Sequence, residues 1–271
     1  MPELPEVETT LRGIEPHIDG QIISDVIIRN KNLRWPIPAA IKKQLPGQKL
    51  LQLQRRGKYL FLITAKGTAI LHLGMSGSLR INDAGTVAEK HDHVDIVFAN
   101  GKILRFRDPR RFGCLLWTEK PVEQHKLISG MGPEPLTDAF NGDYLYAKSS
   151  GRKNNVKGFI MDGKVVTGVG NIYASEALFA AGILPGRQSG RISKQRYQLL
   201  AGCIKDVLAR AIAQGGTTLK DFTREDGQPG YFKQSLKVYD RAGESCVNCR
   251  QAIKQKQLNQ RSTYYCSHCQ H

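Results

Sequence analysis

Hydrophobic patterning along the chain predicts an α+β protein whose character changes twice before a cysteine-rich end. Three observations carry that prediction. Val7, Leu11 and Ile14 recur at helical spacing near the start. From about residue 20 to residue 118 the apolar residues fall instead into short β-rich runs divided by Gly, Asn and Asp. Past residue 170 the period turns helical again, and four of the six cysteines fall in the last 26 residues.

Taken in order, residues 1–15 read as a helix after a Pro-containing first turn. Runs at 58–64, 69–73, 93–99 and 102–107 read as strands, and many short strands in succession indicate a sandwich or a barrel. Residues 130–143, with two prolines and three glycines, read as a domain boundary. Ile172, Leu178, Phe179 and Ile183 then mark one helix, and Leu200, Ile204, Val207, Leu208 and Ile212 mark an amphipathic one. Residues 215–232 are too rich in Gly and polar residues for a regular element. They read as a long loop, a kind of segment that often carries function. There is no internal repeat.

A chain of 271 residues with 40% hydrophobic content can bury one large core or two moderate ones. Lys and Arg outnumber Asp and Glu by 40 to 24, a formal charge of +16. Solubility alone explains some such excesses. A polyanionic partner explains this one better, because each neutralised phosphate releases counterions. Composition does not separate DNA from RNA, a ribosome or a membrane surface. No apolar run approaches the roughly 20 residues that span a bilayer. The start, MPELPEVETT, is acidic where a signal peptide is basic. The expectation is a cytoplasmic protein with no membrane partner.

Cys246 and Cys249 are separated by two residues, as are Cys266 and Cys269, with sixteen residues between the pairs. Two such knuckles match a tetrahedral four-cysteine zinc site, against the alternatives of unrelated thiols or two disulfides. One structural zinc per chain is expected. Arg250, Lys254, Lys256 and Arg261 surround it, with no Asp or Glu from 246 onward, so this finger is expected to touch phosphate. His268 is expected to face solvent. Cys114 and Cys203 lie in apolar surroundings and read as buried structural thiols.

The opposite end is acidic: Glu3, Glu6, Glu8 and Glu15 crowd the first fifteen residues. Complementing a helix dipole suffices for Glu8 and Glu15. Pro2 changes the weighing for Glu3 and Glu6. Trimming Met1 would leave a secondary amine, and an α-amino group has a pKa near about 8. Such an amine can attack a sugar C1′ and form a Schiff base, and an adjacent carboxyl can move the protons.

With these residues in view, the chain resembles the bacterial formamidopyrimidine-DNA glycosylases, almost end to end. The motifs are PELPEVE at 2–8, GKYL at 57–60, LGMSG at 73–77, KHDHVD at 90–95 and DPRRFG at 108–113. GPEPL follows at 132–136, GVGNIYASEALF at 168–179, QGGTTLKDF at 214–222, DGQPGYF at 226–232, and a finger ending RSTYYCSHCQ. PELPEVE at the start together with this finger is highly specific. The resemblance implies an N-terminal two-layer β-sandwich with an N-terminal helix, a C-terminal helix–two-turn–helix domain and a β-hairpin zinc finger. The boundaries expected are 1–131, 132–237 and 238–271.

The resemblance also implies roles. Pro2 would be the nucleophile, Glu3 the acid that protonates the sugar ring oxygen, and Glu6 its support. Lys58, His72, His91, Asn171 and Arg261 would hold DNA phosphates. Read alone, Lys58 is a solvated strand-start lysine, His72 an ordinary strand histidine and Asn171 an N-cap. Met75, Arg110 and Phe112 would form a wedge: apolar side chains fill the gap left by an extruded nucleotide while Arg110 pairs with the orphaned cytosine. Thr217, Thr218 and Tyr231 would lie on a loop that closes over the flipped base. One stretch departs from the pattern. Asn154, Asn155 and Gly158 stand where relatives carry more basic or bulkier residues, which leaves Lys157 as the expected phosphate contact there.

The implied activity is a bifunctional glycosylase and AP lyase of base excision repair, acting as a monomer on damaged double-stranded DNA. Its substrates would be 8-oxoguanine and formamidopyrimidines. Two rivals stand beside it: a sister glycosylase for oxidised pyrimidines, and a non-catalytic zinc-finger DNA-binding protein. The latter would have no use for Pro2 and Glu3.

Overall fold

The computed structural model describes residues 1–216 and 235–271, which fall into two compact units. One holds Met1–Ser129 with residues 214–216, the other Gly130–Ala213 with residues 235–271.

In the first unit, helix α1 (Leu4–Ile18) begins where the Glu6 carboxylate accepts the backbone N–H of Glu3 at 2.9 Å, closing a capping box. Pro5 sits in the first turn, where a missing N–H costs nothing. Leu4, Val7, Leu11, Ile14 and Ile18 form the buried stripe. The helix runs three residues beyond the 15 that the sequence predicts, through Pro16. The fully buried Ile18 supplies the reason: its packing outweighs the lost hydrogen bond.

Eight strands follow: β1 (Ile23–Ile28), β2 (Gln52–Arg56), β3 (Tyr59–Thr64), β4 (Gly67–His72), β5 (Ser78–Asp83), β6 (Asp92–Phe98), β7 (Lys102–Arg107) and β8 (Cys114–Thr118). They build two antiparallel four-stranded sheets, ordered β1-β6-β7-β5 and β2-β3-β4-β8. One apolar core joins α1 to both: Ile14 and Ile18 belong to the same cluster as Leu60, Leu62 and Leu71 from one sheet and Val94, Ile96 and Leu104 from the other. This is the two-layer arrangement expected, and a short helix α2 (Ala39–Gln44) adds Ile41 to the same core.

One buried polar cluster crosses the first sheet. Asp95 accepts two hydrogen bonds from its cross-strand partner Arg105 and one from Arg29, at 2.9, 2.9 and 2.6 Å. Arg105 also donates to the carbonyls of Thr86 and Val87, so the charge pair pins the loop between β5 and β6.

The second unit is helical: α3 (Gly142–Ser149), α4 (Val156–Met161), α5 (Asn171–Ala180) and α6 (Lys194–Ala213), with a β9 (Lys254–Leu258) and β10 (Arg261–Tyr265) hairpin. Helix α6 buries Tyr197, Leu200, Ile204, Val207 and Leu208. Gly142 lets α3 lie against it, since a Cβ there would sit 2.3 Å from Gln198 Cα. Glu176 on α5 is buried and accepts the N–H groups of Lys237, Val238 and Tyr239 at 2.8, 2.9 and 2.8 Å. It thereby fixes the chain leading into the finger. Burial pushes its pKa up, against the pull of those three donors. Among the described residues no helix is long and apolar enough to cross a membrane.

Asp95→Ala is expected to cost about 3–5 kcal/mol, because it leaves the buried Arg105 guanidinium only the 3.6 Å approach of Asp92 and two carbonyls. Urea unfolding measures it, and a loss under about 1 kcal/mol would show that Arg105 finds water or a new acceptor.

Candidate functional site

Pro2, Glu3 and Glu6 are all buried at the start of α1. The helix is tied to the neighbouring hairpin through Glu8, whose carboxylate accepts from Arg55 Nε at 2.7 Å and Arg12 Nε at 2.8 Å. Burial works against that carboxylate, yet the two guanidinium groups hold its pKa below the usual range. Arg55 in turn donates to the Gly57 carbonyl at 3.1 Å. Gly57, at φ +57°, and Lys58 form the two-residue turn between β2 and β3. Glu8 and Arg55 therefore connect the helix that starts at Pro2 with the turn that carries Lys58. Gly216 also approaches this end: at φ +79°, a Cβ on it would meet Glu6 Oε1 at 3.1 Å.

His72 ends β4, its ring 4.7 Å from that of Tyr59. Its Nδ1 accepts the Gly74 N–H at 2.9 Å, which places the imidazole proton on Nε2. Burial, then the charges of Lys58 and Arg34, pull its pKa down to about 4. The ring is thus a neutral donor at physiological pH. Cys114, paired with His72 across β4 and β8, is buried and pushed up to about 12 by that burial, which suits an inert structural thiol. Cys203 is only partly buried.

Met75 and Phe112 stand on two loops, at 73–77 and 108–113, whose backbones touch. Gly74 has φ +68°, and a Cβ on it would fall 2.4 Å from the Gly113 nitrogen. Met75 is half-buried. Phe112 is 45% exposed, with the Arg110 guanidinium 4.9 Å over its ring. His91 lies nearby on the same unit, partly buried, its ring 6.4 Å from that of His93.

In the second unit the sulfurs of Cys246, Cys249, Cys266 and Cys269 lie within 4.8 Å of one another. Tetrahedral zinc with Zn–S near 2.3 Å needs sulfurs about 3.8 Å apart. The 3.9 Å between Cys246 and Cys269 and the 3.4 Å between Cys249 and Cys266 fit that ion. His268 is exposed, outside the set. Arg261 is exposed at the start of β10, after the Asn259–Gln260 turn with φ +49° and +58°.

Two expectations need correction here. Lys157 is only 1% exposed, and its ammonium donates to the Ser262 carbonyl at 3.0 Å and the Thr263 hydroxyl at 2.8 Å. It grips the finger strand beside Arg261 and is not presented as a phosphate contact. A buried charge stays in a fold only where such acceptors meet it. Asn171 is not the N-cap of α5; that position is Gly170. Its amide also donates to the Ser262 carbonyl, at 3.0 Å. The departure noted at 154–158 has a local cause as well: Gly158 leaves room for Asn259, to which Asn155 donates at 3.1 Å.

Three family models cover the chain: the formamidopyrimidine-DNA glycosylase N-terminal domain over residues 1–115, its H2TH domain over 131–223, and the zinc finger found in FPG and IleRS over 243–271. The chain belongs to the formamidopyrimidine-DNA glycosylase family. A relative from Stenotrophomonas maltophilia, named formamidopyrimidine-DNA glycosylase, is 57% identical over 270 residues and covers 100% of both chains. The crystal structure of the MutM (FPG) protein from Thermus thermophilus matches with TM-score 0.89 at 32% identity, covering 99% of this chain and 98% of that one. The Lactococcus lactis protein in complex with FAPY-dG-containing DNA matches with TM-score 0.90 at 31% identity, covering 99% of each. The protein is a DNA-binding DNA glycosylase of base excision repair, in a family with AP lyase activity, and its finger holds one structural zinc.

In the sequence Glu8 has only a helix-dipole role, and neither Arg55 nor Glu176 stands out. Their signal, one acid or base among several charged or polar neighbours or in an apolar helix, is weak without the partner in view. Thr217, Thr218 and Tyr231 lie outside the described residues.

Two outcomes are expected. Chelation, or Cys266→Ser, should unfold the finger and lower DNA affinity, because structural zinc supplies folding free energy; elemental analysis finding active protein free of zinc would contradict this. His72→Gln should remove a pH dependence of stability. The folded pKa is depressed, so wild-type stability is full above about pH 6.5 and falls as pH drops towards 4. Unfolding curves for both proteins should diverge across that window.

Proposed function

We propose that the enzyme excises 8-oxoguanine opposite cytosine, and ring-opened formamidopyrimidines, through a Schiff base on Pro2. The observation that carries this reading is the placement of Pro2, Glu3 and Glu6 together at a buried helix start in a chain of this family. Once Met1 is removed, the Pro2 nitrogen is a secondary amine. It attacks C1′ while the C1′–base bond breaks and the base leaves with a proton. Glu3 protonates the ring oxygen, the sugar opens, and an iminium joins C1′ to Pro2. Loss of a C2′ proton then expels the 3′ phosphate, and a second elimination expels the 5′ phosphate. Hydrolysis of the iminium frees Pro2. The product is a one-nucleotide gap with phosphate at both ends.

The remaining residues bind and shape the DNA in this reading. Lys58, His72, His91, Asn171 and Arg261 hold backbone phosphates. The neutral Nε2–H of His72 suits that task without adding charge. One amide hydrogen of Asn171 is spent on Ser262, and the other serves the phosphate. Met75, Arg110 and Phe112 fill the space left by the extruded base, and the Thr217–Tyr231 loop covers that base. The bound FAPY-dG of the Lactococcus lactis complex supports the substrate class. A cytoplasmic monomer divided functionally at 1–131, 132–237 and 238–271 completes the proposal.

Borohydride trapping on an 8-oxoguanine duplex tests it. Pro2→Gly should lose the covalent adduct, and Glu3→Gln should bind damaged duplex yet release no base. Undiminished trapping by Pro2→Gly would move the nucleophile to Lys58. Preference for a thymine glycol duplex would move the substrate class to oxidised pyrimidines.

A further inference from the structure

We propose that Asp108 is the positioning residue of the wedge, holding the Met75 and Phe112 loops in one fixed relation before DNA arrives. The inference rests on the reading of Met75, Arg110 and Phe112 as the residues that replace the extruded base. Asp108 has no exposed surface. One carboxylate oxygen accepts the Ser76 hydroxyl at 3.1 Å, next to Met75 in the chain; the other accepts the Gly113 N–H at 2.8 Å, next to Phe112. Its backbone is held as firmly. The Asp108 N–H donates to the His91 carbonyl at 3.0 Å, and its carbonyl accepts from His93 Nε2 at 2.9 Å and the Arg111 N–H at 3.2 Å. Among the described residues no ammonium or guanidinium forms an ion pair with it. A carboxylate this deep is costly and is kept only where hydrogen bonds meet it.

Turn formation within 108–113 does not require the bond to Ser76, which lies 32 residues away on the other loop. That bond does something else: it couples the two loops. Flipping a base costs a few kcal/mol, and the wedge offsets this only if its side chains are in place when the stack opens. Two loops that had to be ordered at that moment would lose conformational entropy. The Gly74–Gly113 approach brings the backbones together, and Asp108 locks them.

The test compares single-turnover excision of 8-oxoguanine from duplex with strand cleavage at a preformed abasic site in the same duplex. Asp108→Ala should slow the first about tenfold, the equivalent of 1.4 kcal/mol of the flipping cost, and leave the second within about twofold. Ser76→Ala, which removes the inter-loop bond and keeps the turn, should move the two rates in the same direction by a smaller factor, and it serves if Asp108→Ala does not fold. Asp108→Asn should recover most of the loss, since the amide can accept from Gly113 and donate to a rotated Ser76 hydroxyl. Equal losses on both substrates for Asp108→Ala and Ser76→Ala would reduce Asp108 to ordinary scaffolding. Phe112→Ala, run alongside, separates the two layers of argument. If it spares duplex excision, the wedge reading itself falls. If it selectively slows duplex excision while the Asp108 and Ser76 variants do not, only the positioning role falls.

Discussion

A chain terminus ordinarily frays, because its last residues have few neighbours and much conformational freedom to lose. In this protein the chemistry depends on the reverse. The side chains of Val7, Leu11, Ile14 and Ile18 sink into the core shared by two sheets, and the Glu6 carboxylate closes on the Glu3 N–H. Burial of the stripe fixes the helix axis, the capping bond fixes its first turn, and Glu8 with Arg55 fixes its rotation against the β2–β3 hairpin. Everything proposed for Pro2 presupposes that burial. An amine on a loose terminus would have no defined reach to a sugar carbon.

Much of this was legible in the sequence because period and motif are local signals. Strand β7 falls on the residues predicted, and β3 and β6 begin within one residue of prediction. The four-cysteine spacing specified the metal site outright. The departures share a cause: a longer-range contact decides them. Helix α1 passes through Pro16 because Ile18 has a core to enter. Helix α3 shows no period because it buries one apolar side chain, and α4 because six residues are too few to display one; Asn141 and Asn155 start them by capping. Lys157 reads as a phosphate contact because Asn154, Asn155 and Gly158 beside it depart from the family pattern. Only the folded chain shows that the Ser262 carbonyl and Thr263 hydroxyl await it. Asp108 sits inside a motif that the sequence flagged, yet its partner Ser76 lies in another, and no periodicity links the two.

The same contacts qualify the meaning of the +16 charge. Arg55, Arg105, Arg196, Arg241 and Lys157 all donate to carboxylates or carbonyls of the protein itself. Such groups still contribute to the long-range field that attracts a polyanion. They are not aimed at phosphates, however, and each is already partly desolvated by its internal partner. Arg110 and Arg261 differ, since both stand exposed, Arg110 in a turn and Arg261 on the first strand residue after one. Net charge therefore measures attraction, while in the proposed reading the exposed side chains make the contacts.

Arg261 shows how far that selection is built in. The hairpin that carries it has two short strands and a core of six residues around the cysteines, too little apolar surface to be stable alone. Zinc fixes the end of the hairpin at the cysteines. Beyond its turn, Lys157 and Asn171 converge on the Ser262 carbonyl, and Asn155 reaches Asn259. The arginine lies between residues held by separate bonds. A guanidinium on a long side chain loses up to about 2 kcal/mol of rotamer entropy on binding, and fixing its backbone beforehand keeps that loss from growing. In the proposed reading, where Arg261 holds a phosphate, the lysine serves the same end indirectly: it fixes the strand from which the exposed arginine extends.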